Sequence, residues 1–378
     1  MIKDVADVGK KTLGNALLTG ADSSRIPNPE SRIHPRRIVV AMSGGVDSSV
    51  TAAMLARQGH DVIGVTMKLH AFGNAAEDAR KVAEVIGIPH HVFDFEDIFS
   101  TCIIEDFAES YKRGETPIPC VKCNQRIKFG ALMDRARDLG AEALATGHYA
   151  RIFRGAKGAE LRRAADETRD QSYFLFAASQ AQLDFLRFPL GDIQSKDETR
   201  RLGKEWNLPV AEKPDSQDIC FLPDGDYASL VAKLRPEATV AGNIVDEKGN
   251  VLGPHEGIIH FTVGQRRGIN LSARTGENNE ALYVLRLDAE KRQVVVGPRS
   301  SLARREVHLR DMNWLGDPAP AEGIRIAVKL RSAQKPLPAT FYMKEGESYL
   351  SEGGSYLSEG RRGLILLDEP AFAIAPGQ

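Results

Sequence analysis

Four cysteines in 378 residues, at 102, 120, 123 and 220, are too few and too unevenly spaced for a disulfide scaffold. In a reducing compartment such thiols are structural, catalytic or metal-binding, and Cys102, in the mixed apolar stretch 98–107, reads as core. No apolar run approaches the roughly 18–20 residues that span a bilayer, so no membrane partner is expected. Residues 1–31 carry scattered lysines and one weakly amphipathic stretch, 5–18, without the apolar core and cleavage site of a secretory signal. A mobile extension over 1–33 of a cytoplasmic protein is the expectation, and a degenerate organelle signal is the alternative. Net charge is also nearly absent, with 50 basic against 51 acidic residues, which argues against a protein that is basic overall. The distribution is uneven. Residues 61–109 hold ten acids and three bases, and residues 261–310 hold ten bases and five acids. A polyanion would find a local basic surface there, unless these are merely solvated charged faces.

What stands out against that background is Ser43-Gly44-Gly45-Val46-Asp47-Ser48-Ser49, after the apolar run 38–42 and before a helix-like segment at 50–56. Strand, glycine-rich turn and helix together hold phosphate on backbone N–H groups at a helix N-terminus. Two glycines let the backbone curl around an anion, and the serine hydroxyls add donors. Gly-Lys-Ser/Thr is missing from this loop, so it is not the Walker loop that cleaves a terminal phosphate. It looks like the loop of enzymes that split ATP into AMP and pyrophosphate while adenylating a substrate oxygen.

Strand-like segments at 38–42, 61–69, 90–95 and 143–146 alternate with helix-like ones at 48–58, 75–86, 102–112 and 127–139. That alternation predicts a parallel α/β sheet covered on both faces. Ligands of such sheets gather at the carboxyl ends of the strands, so Ser43, Met67 and Gly147 are expected to meet in one crevice. Beyond residue 222 helical periodicity fades. Short β-branched runs at 242–245, 258–263, 283–287 and 294–296 predict strands separated by turns such as Lys248-Gly249-Asn250. The division expected is an extension over 1–33, a catalytic domain over 34–225, a small central domain over 226–297 and a shortened β-barrel over 298–378. A tandem repeat of seven residues, SYLSEGG then SYLSEGR over 348–361, reads as a lengthened hairpin loop.

Two further segments carry chemistry. In 116–129, TPIPCVKCNQRIKF, two prolines make a stiff approach to a helix expected to begin near Asn124. Cys123 would then sit at a helix N-terminus beside Lys122, Arg126 and Lys128, where dipole and charge favour the nucleophilic thiolate. Half of a structural zinc site is the alternative, short of ligands. In 213–221, KPDSQDICF, an acidic, turn-rich stretch leads to Cys220, which is either structural or one of a sulfur-handling pair with Cys123.

Ordered motifs now point further: AMSGGVDSS (41–49), CNQRIKF (123–129), ATGHYA (145–150), DQSYFL (170–175), SQDICF (216–221), TVGQRRG (262–268) and APGQ (375–378). The chain from 37 to 378 resembles the tRNA-specific 2-thiouridylase family, which replaces the 2-oxygen of the wobble uridine with sulfur. The resemblance implies an ATP-pyrophosphatase domain, a small central domain and a C-terminal β-barrel. It implies that Ala41, Met42, Ser43, Gly44, Gly45, Val46, Asp47, Ser48, Met67 and Gly147 hold ATP, with magnesium as its companion ion. It implies Cys123 as nucleophile and Cys220 as persulfide carrier, the pair ending as a disulfide. His148, Arg169, Asp170, Gln171, Arg331, Ser332 and Gln378 fall at tRNA-contacting positions. The partners implied are tRNA and a persulfide donor, either a sulfur-relay protein or a cysteine desulfurase.

Three departures from the family pattern matter. Ile118-Pro119-Cys120 stands where many relatives have Asn-Pro-Asp, whose Asp is the usual acid/base. Three roles stay open for Cys120: a replacement titratable group, a passive substitution, or, less favoured, a third ligand with Cys123 and Cys220 to an iron–sulfur cluster. The chain ends at Gln378 where relatives continue, which would leave a sheet edge open. The duplication at 348–361 has no counterpart in the pattern. The alternatives to thiolation are another pyrophosphate-loop adenylating enzyme, or a catalytically impaired tRNA-binding homologue.

Overall fold

The computed structural model describes residues 36–70, 74–215, 219–222, 225–269, 271, 280–317, 319–344 and 362–378. The extension over 1–33, residues 216–218 of the Cys220 segment and the duplication at 348–361 lie outside the described residues.

The first sheet is five-stranded and wholly parallel, in the order β3 (His90–Asp94), β2 (Asp61–Lys68), β1 (Arg37–Ala41), β4 (Ala143–Ala145), β7 (Leu186–Arg187). Its centre is buried on both faces. Val39 and Val40 of β1, and Leu144 and Ala145 of β4, have no exposed surface, which is why these strands read as continuous apolar runs. Each such valine or leucine contributes about 1.5–3 kcal/mol by leaving water. Strand order reverses between β1 and β4, which pair with each other, while β2 and β3 lie beyond β1. That reversal opens a crevice at the carboxyl ends of β1 and β4.

Helices α1 (Val46–Arg57) and α2 (Ala75–Ile86) fall where the periodicity predicts. Two long helices differ from expectation. One runs over 96–112, from Glu96 instead of Cys102, and buries Phe99, Ile103 and Phe107. The other, the cysteine helix, runs over 119–138 and starts at Pro119, not near Asn124. Proline at the first helical position has no N–H to lose and a φ suited to the helix, so Pro119 begins the element. Over Cys123–Ala131 this helix takes the wider π winding. Gln182 Nε2 donates to the carbonyls of Gln125 (3.2 Å) and Phe129 (2.7 Å), satisfying groups that a helix interior would otherwise keep for itself.

Beyond the first sheet come a hairpin, β5 (Ala150–Gly155) with β6 (Gly158–Arg163), and two four-stranded sheets. One has the order β10 (Tyr283–Asp288), β11 (Gln293–Gly297), β8 (Gly242–Val245), β9 (Val251–His255). The other has the order β12 (Ala303–Leu309), β15 (Arg362–Phe372), β14 (Leu337–Lys344), β13 (Ile324–Val328). The run at 258–263 is no strand. Ile258–His260 is a 3₁₀ turn, entered through Gly257 at φ 150°, whose N–H goes to His255 Nδ1. Its side chains Ile258, Ile259, Phe261 and Val263 are all buried, so they serve as core plugs.

The chain end returns to the loop before the cysteine helix. Thr116 N donates to Pro376 O at 2.8 Å, and Gly377, at φ 93°, lies so close that a Cβ there would sit 2.9 Å from Thr116 O. Residues 375–378 thus strap down the extended approach to the cysteine helix. Among the described residues no helix is long and apolar enough to cross a membrane.

Candidate functional site

The loop 42–45 leaves β1 at the sheet's carboxyl edge and turns into α1. Gly44 has φ 69°, and a Cβ on it would lie 2.5 Å from Ala75 O, so only glycine fits. The loop is braced from behind. Met42 N donates to Val65 O (2.8 Å), Thr66 Oγ1 to Met42 O (2.8 Å), and Ser43 N to Ser48 Oγ (3.1 Å). No side chain caps α1 at Gly45. First-turn N–H groups of an uncapped twelve-residue helix make an anion-binding end.

Gly147, at the end of β4, closes the crevice from the other side. A Cβ there would lie 2.8 Å from Ser48 N and 2.9 Å from Asp47 C, so glycine lets β4 pack directly on the first turn of α1. Met67 is the penultimate residue of β2, one strand over from the loop, and is half-buried. The three expected segments therefore share one edge of the sheet.

Asp47 is held by residues that local sequence gave no reason to select. Lys196 Nζ lies 2.7 Å from both of its carboxylate oxygens, and Tyr149 Oη donates to it at 2.8 Å. Lys196 also reaches Asp215 (2.8 Å), as do Arg200 (3.1 Å) and Arg169 (3.7 Å). Burial works to raise the Asp215 pKa, but Lys196 and the two arginines prevail and hold it below its ordinary value. Burial, then the Asp47 charge, pushes the Tyr149 phenol far up, so it stays a donor. Lys213 donates to Gly44 O (3.0 Å) and pairs with Asp78 (2.7 Å). Ser195-Lys196-Asp197-Glu198 marks only a helix start, with Ser195 capping the helix Lys196–Glu205 by accepting from Glu198 N.

Cys120 and Cys123 lie on the cysteine helix, whose Phe129 meets the His148 ring, and Cys220 lies near both thiols. Cys123 is buried, and Cys120 and Cys220 are exposed; all are free thiols. Phe221 plugs edge-on against Phe99 and Phe107, which fixes the residue after Cys220 in the core that the cysteine helix shares. The thiolate expected at Cys123 is not favoured. With four helical residues before it, the sulfur is not at the N-terminal end, and burial pushes its pKa up against the opposing pull of Lys128. Lys122 is occupied by Asp106, and Arg126 points to solvent. Enclosure by its neighbours first, then the Cys123 and Cys120 thiols, pushes Cys220 up to about 11. Asn124, beside Cys123, donates to Phe174 O (3.0 Å), while its Oδ1 is buried with no donor among the described residues.

His148 adjoins the cysteine helix. Its ring packs against Phe129 and Phe188, and Thr146 Oγ1 lies 2.7 Å from its Nδ1. Burial, helped by Lys128, lowers its pKa well below the ordinary value, so it is neutral at pH 7. The 169–171 stretch is divided in role. Asp170 turns inward and accepts from Ala164 N, Ser172 N and Ser172 Oγ, and Gln171 Oε1 accepts from Tyr149 N, leaving Arg169 as the exposed member. Arg331, Ser332 and Gln378 are exposed, with Arg331 donating to Ala373 O. Among the described residues no three carboxylate, imidazole or thiol groups converge in the geometry of a metal site.

Comparison with known proteins adds whole-chain evidence. Residues 36–224 match a family model described as tRNA methyl transferase HUP domain, and residues 229–298 one described as tRNA methyl transferase PRC-barrel domain. A tRNA-specific 2-thiouridylase MnmA from Parvibaculum lavamentivorans is 52% identical, covering 96% of this chain and 90% of its own. Namesakes from Paracoccus denitrificans (53%, covering 84% of this chain and 83% of its own) and Rhodospirillum centenum (52%, 90% and 87%) agree. At 52–53% identity over most of both chains, this chain belongs to the tRNA-specific 2-thiouridylase family.

Proposed function

We propose that the chain uses ATP to adenylate the 2-oxygen of a tRNA wobble uridine and then replaces that oxygen with sulfur. The observation that carries this reading is the pair of adjacent residues Gly147 and His148. Gly147 packs on the phosphate loop, and His148 packs on Phe129 of the cysteine helix, so one turn joins an anion cradle to a set of thiols. Methyl transfer, the description attached to the family models, calls for neither feature; thiolation calls for both.

A carbonyl oxygen is a poor leaving group, and adenylation turns it into AMP. The uridine oxygen attacks the α-phosphorus, the bond to the β-phosphate breaks, and pyrophosphate leaves while the N–H groups at Gly45–Ser48 stabilise its charge. Met67 sits where the adenine of an ATP lying along this edge would fall. Magnesium would arrive on the phosphates themselves, since Asp47 is already engaged by Lys196. The terminal sulfur of a Cys220 persulfide then bonds to C2, and AMP departs with the oxygen. The Cys123 thiolate attacks Cys220 Sγ, breaking the S–S bond and leaving 2-thiouridine and a Cys123–Cys220 disulfide, which an external dithiol reduces. No step runs through an iron–sulfur cluster. The uridine must leave its stack to enter, which is easier in a single-stranded anticodon loop.

The finer assignments belong to the same proposal. Cys123 is the nucleophile and Cys220 the persulfide carrier, supplied by a cysteine desulfurase or sulfur-relay protein in the cytoplasm. Arg169, Arg331, Ser332 and Gln378 meet tRNA at the surface, and His148 does so as a neutral ring. The catalytic unit covers 34–225, the central one 226–297 and the last 298–378. Incubation with tRNA, ATP and a persulfide donor, followed by nucleoside mass spectrometry, should give 2-thiouridine. Cys220→Ser should still release pyrophosphate on adding tRNA and give none; full thiolation by that variant would sink the assignment.

A further inference from the structure

Lys196 is the one buried lysine among the described residues, 7% exposed. A buried ammonium is costly unless paired, and this one is paired three ways, to both oxygens of Asp47 and to Asp215. Asp215 has two further cations, Arg200 and Arg169. Asp47 has none but Lys196 among the described residues, its remaining partner being the neutral Tyr149 hydroxyl.

Asp47 is the second residue of α1, inside the helical end that must receive a polyanion. A free carboxylate there would work against the ligand twice, by repelling phosphate and by competing for the first-turn N–H groups that a helix N-terminus offers to any anion. Lys196 removes both effects at once, because it cancels the charge and holds both oxygens. It stands on a separate helix, Lys196–Glu205, capped by Ser195 and anchored through Thr199, whose Oγ1 lies 2.8 Å from the same Tyr149 hydroxyl. The ammonium is therefore fixed before any nucleotide arrives.

We propose that Lys196 is a positioning residue of the phosphate loop, neutralising and orienting Asp47 so that the first-turn N–H groups stay free for the phosphates of ATP. This rests on the reading that the loop binds ATP. Removing Lys196 leaves one uncompensated charge beside the phosphates. At about 7 Å and an effective dielectric of about 20, such a charge amounts to on the order of fiftyfold in affinity, less what solvent screens.

The test is ATP binding by calorimetry to the full chain in EDTA, which keeps divalent ions out of the comparison. Lys196→Met should weaken binding at least about tenfold, and Lys196→Arg should restore it to within about threefold. Asp47→Asn/Lys196→Met should bind about as well as Asp47→Asn alone, because no bare carboxylate remains. Unchanged affinity in Lys196→Met overturns the proposal. So does a double variant much weaker than Asp47→Asn, since Lys196 would then be touching phosphate itself. If Lys196→Met alone fails to fold, the double-variant comparison still decides. A wild-type chain that binds no ATP overturns the reading of the loop, and the proposal with it.

Discussion

Gly147→Ala tests whether the close approach of β4 to α1 matters for the chemistry. The added methyl would stand 2.8 Å from Ser48 N, 2.9 Å from Asp47 C and 3.1 Å from Asp47 Cβ. Ordinary contact for such atoms begins at about 3.5 Å, so the gap must widen by roughly 0.5–1 Å. Neither side yields cheaply. The neighbouring Thr146 is tied to β7 through its N–H to Arg187 O (3.1 Å), and the facing atoms are backbone of the first helical turn. Overpacking of this kind costs about 1–3 kcal/mol, and at this chain size a melting temperature falls about 2–4 °C per kcal/mol. The functional loss should be larger, because the Ser48 N–H pushed aside is one of the expected phosphate donors. A misplacement near 1 Å can cost about a hundredfold in rate. Pyrophosphate release on adding tRNA should therefore fall on the order of 10–100-fold, while alkylation of Cys220 and affinity for tRNA stay within a few-fold. Wild-type pyrophosphate release together with a melting point within about 1 °C would refute the reasoning.

The thiols give a second expectation. With Cys220 pushed up to about 11, its thiolate fraction near pH 7.5 is on the order of 10²–10³ below that of a free cysteine, partly offset by higher intrinsic nucleophilicity. Iodoacetamide should label Cys220 about 10–50 times more slowly than free cysteine at that pH, with the rate climbing past pH 10; an inflection near 8 would contradict the environment described. Lys128 is the cation that opposes burial at Cys123, so Lys128→Met should move the Cys123 alkylation profile to higher pH and Lys128→Arg should bring it back. An unmoved profile would mean that Lys128 serves packing alone. Gly377→Val must strain a φ of 93° and meet Thr116 O, so the strap should detach. Amide exchange at Thr116 should then accelerate at least tenfold, with thiouridine formation falling more than ATP binding; unchanged exchange would show that the strap holds in some other way.

The phosphate loop was legible because its chemistry is local: a strand, two glycines and an uncapped helix start all lie within ten residues. The parallel sheet was legible for the same reason, since burial on both faces writes continuous apolar runs into β1, β2 and β4. Errors came where tertiary context decides. Lys122 and Lys128 look alike beside Cys123, yet one is spent on Asp106 and only the other acts on the thiol. The 258–263 run has strand composition, but it pairs with no strand: Ile258 and Phe261 fill the core of a small sheet, while Ile259 and Val263 pack into two other clusters. Pro119 suits a helix start and a stiff approach alike, and the sequence alone does not separate them. Lys196 contacts Asp47 across 149 residues of chain, and no local pattern announces such a contact.

The direction of the thiol shifts bears on the order of events in the proposed reaction. Activated cysteines are usually imagined as thiolates held ready by nearby charge, but here burial of Cys123, and at the surface-exposed Cys220 the partial enclosure of its sulfur beside two other thiols, keep both protonated. A persulfide is a stronger acid than the thiol it replaces, so loading sulfur onto Cys220 creates the readily ionised nucleophile, and an unloaded enzyme has little to offer the activated uridine. The protonated resting pair is also a weak metal ligand and reacts slowly with oxidants, since both reactions need thiolate. Cys123 becomes useful one step later, when it must attack Cys220 Sγ. By then sulfur transfer to C2 has made Cys220 Sγ the electrophile and the sulfur on C2 the leaving group, and Lys128 is the charge that favours the Cys123 anion. On this account the crowding of the thiols sets the sequence of steps. It also predicts that a Cys123 thiolate forced by high pH, without persulfide on Cys220, yields no thiouridine from adenylated tRNA.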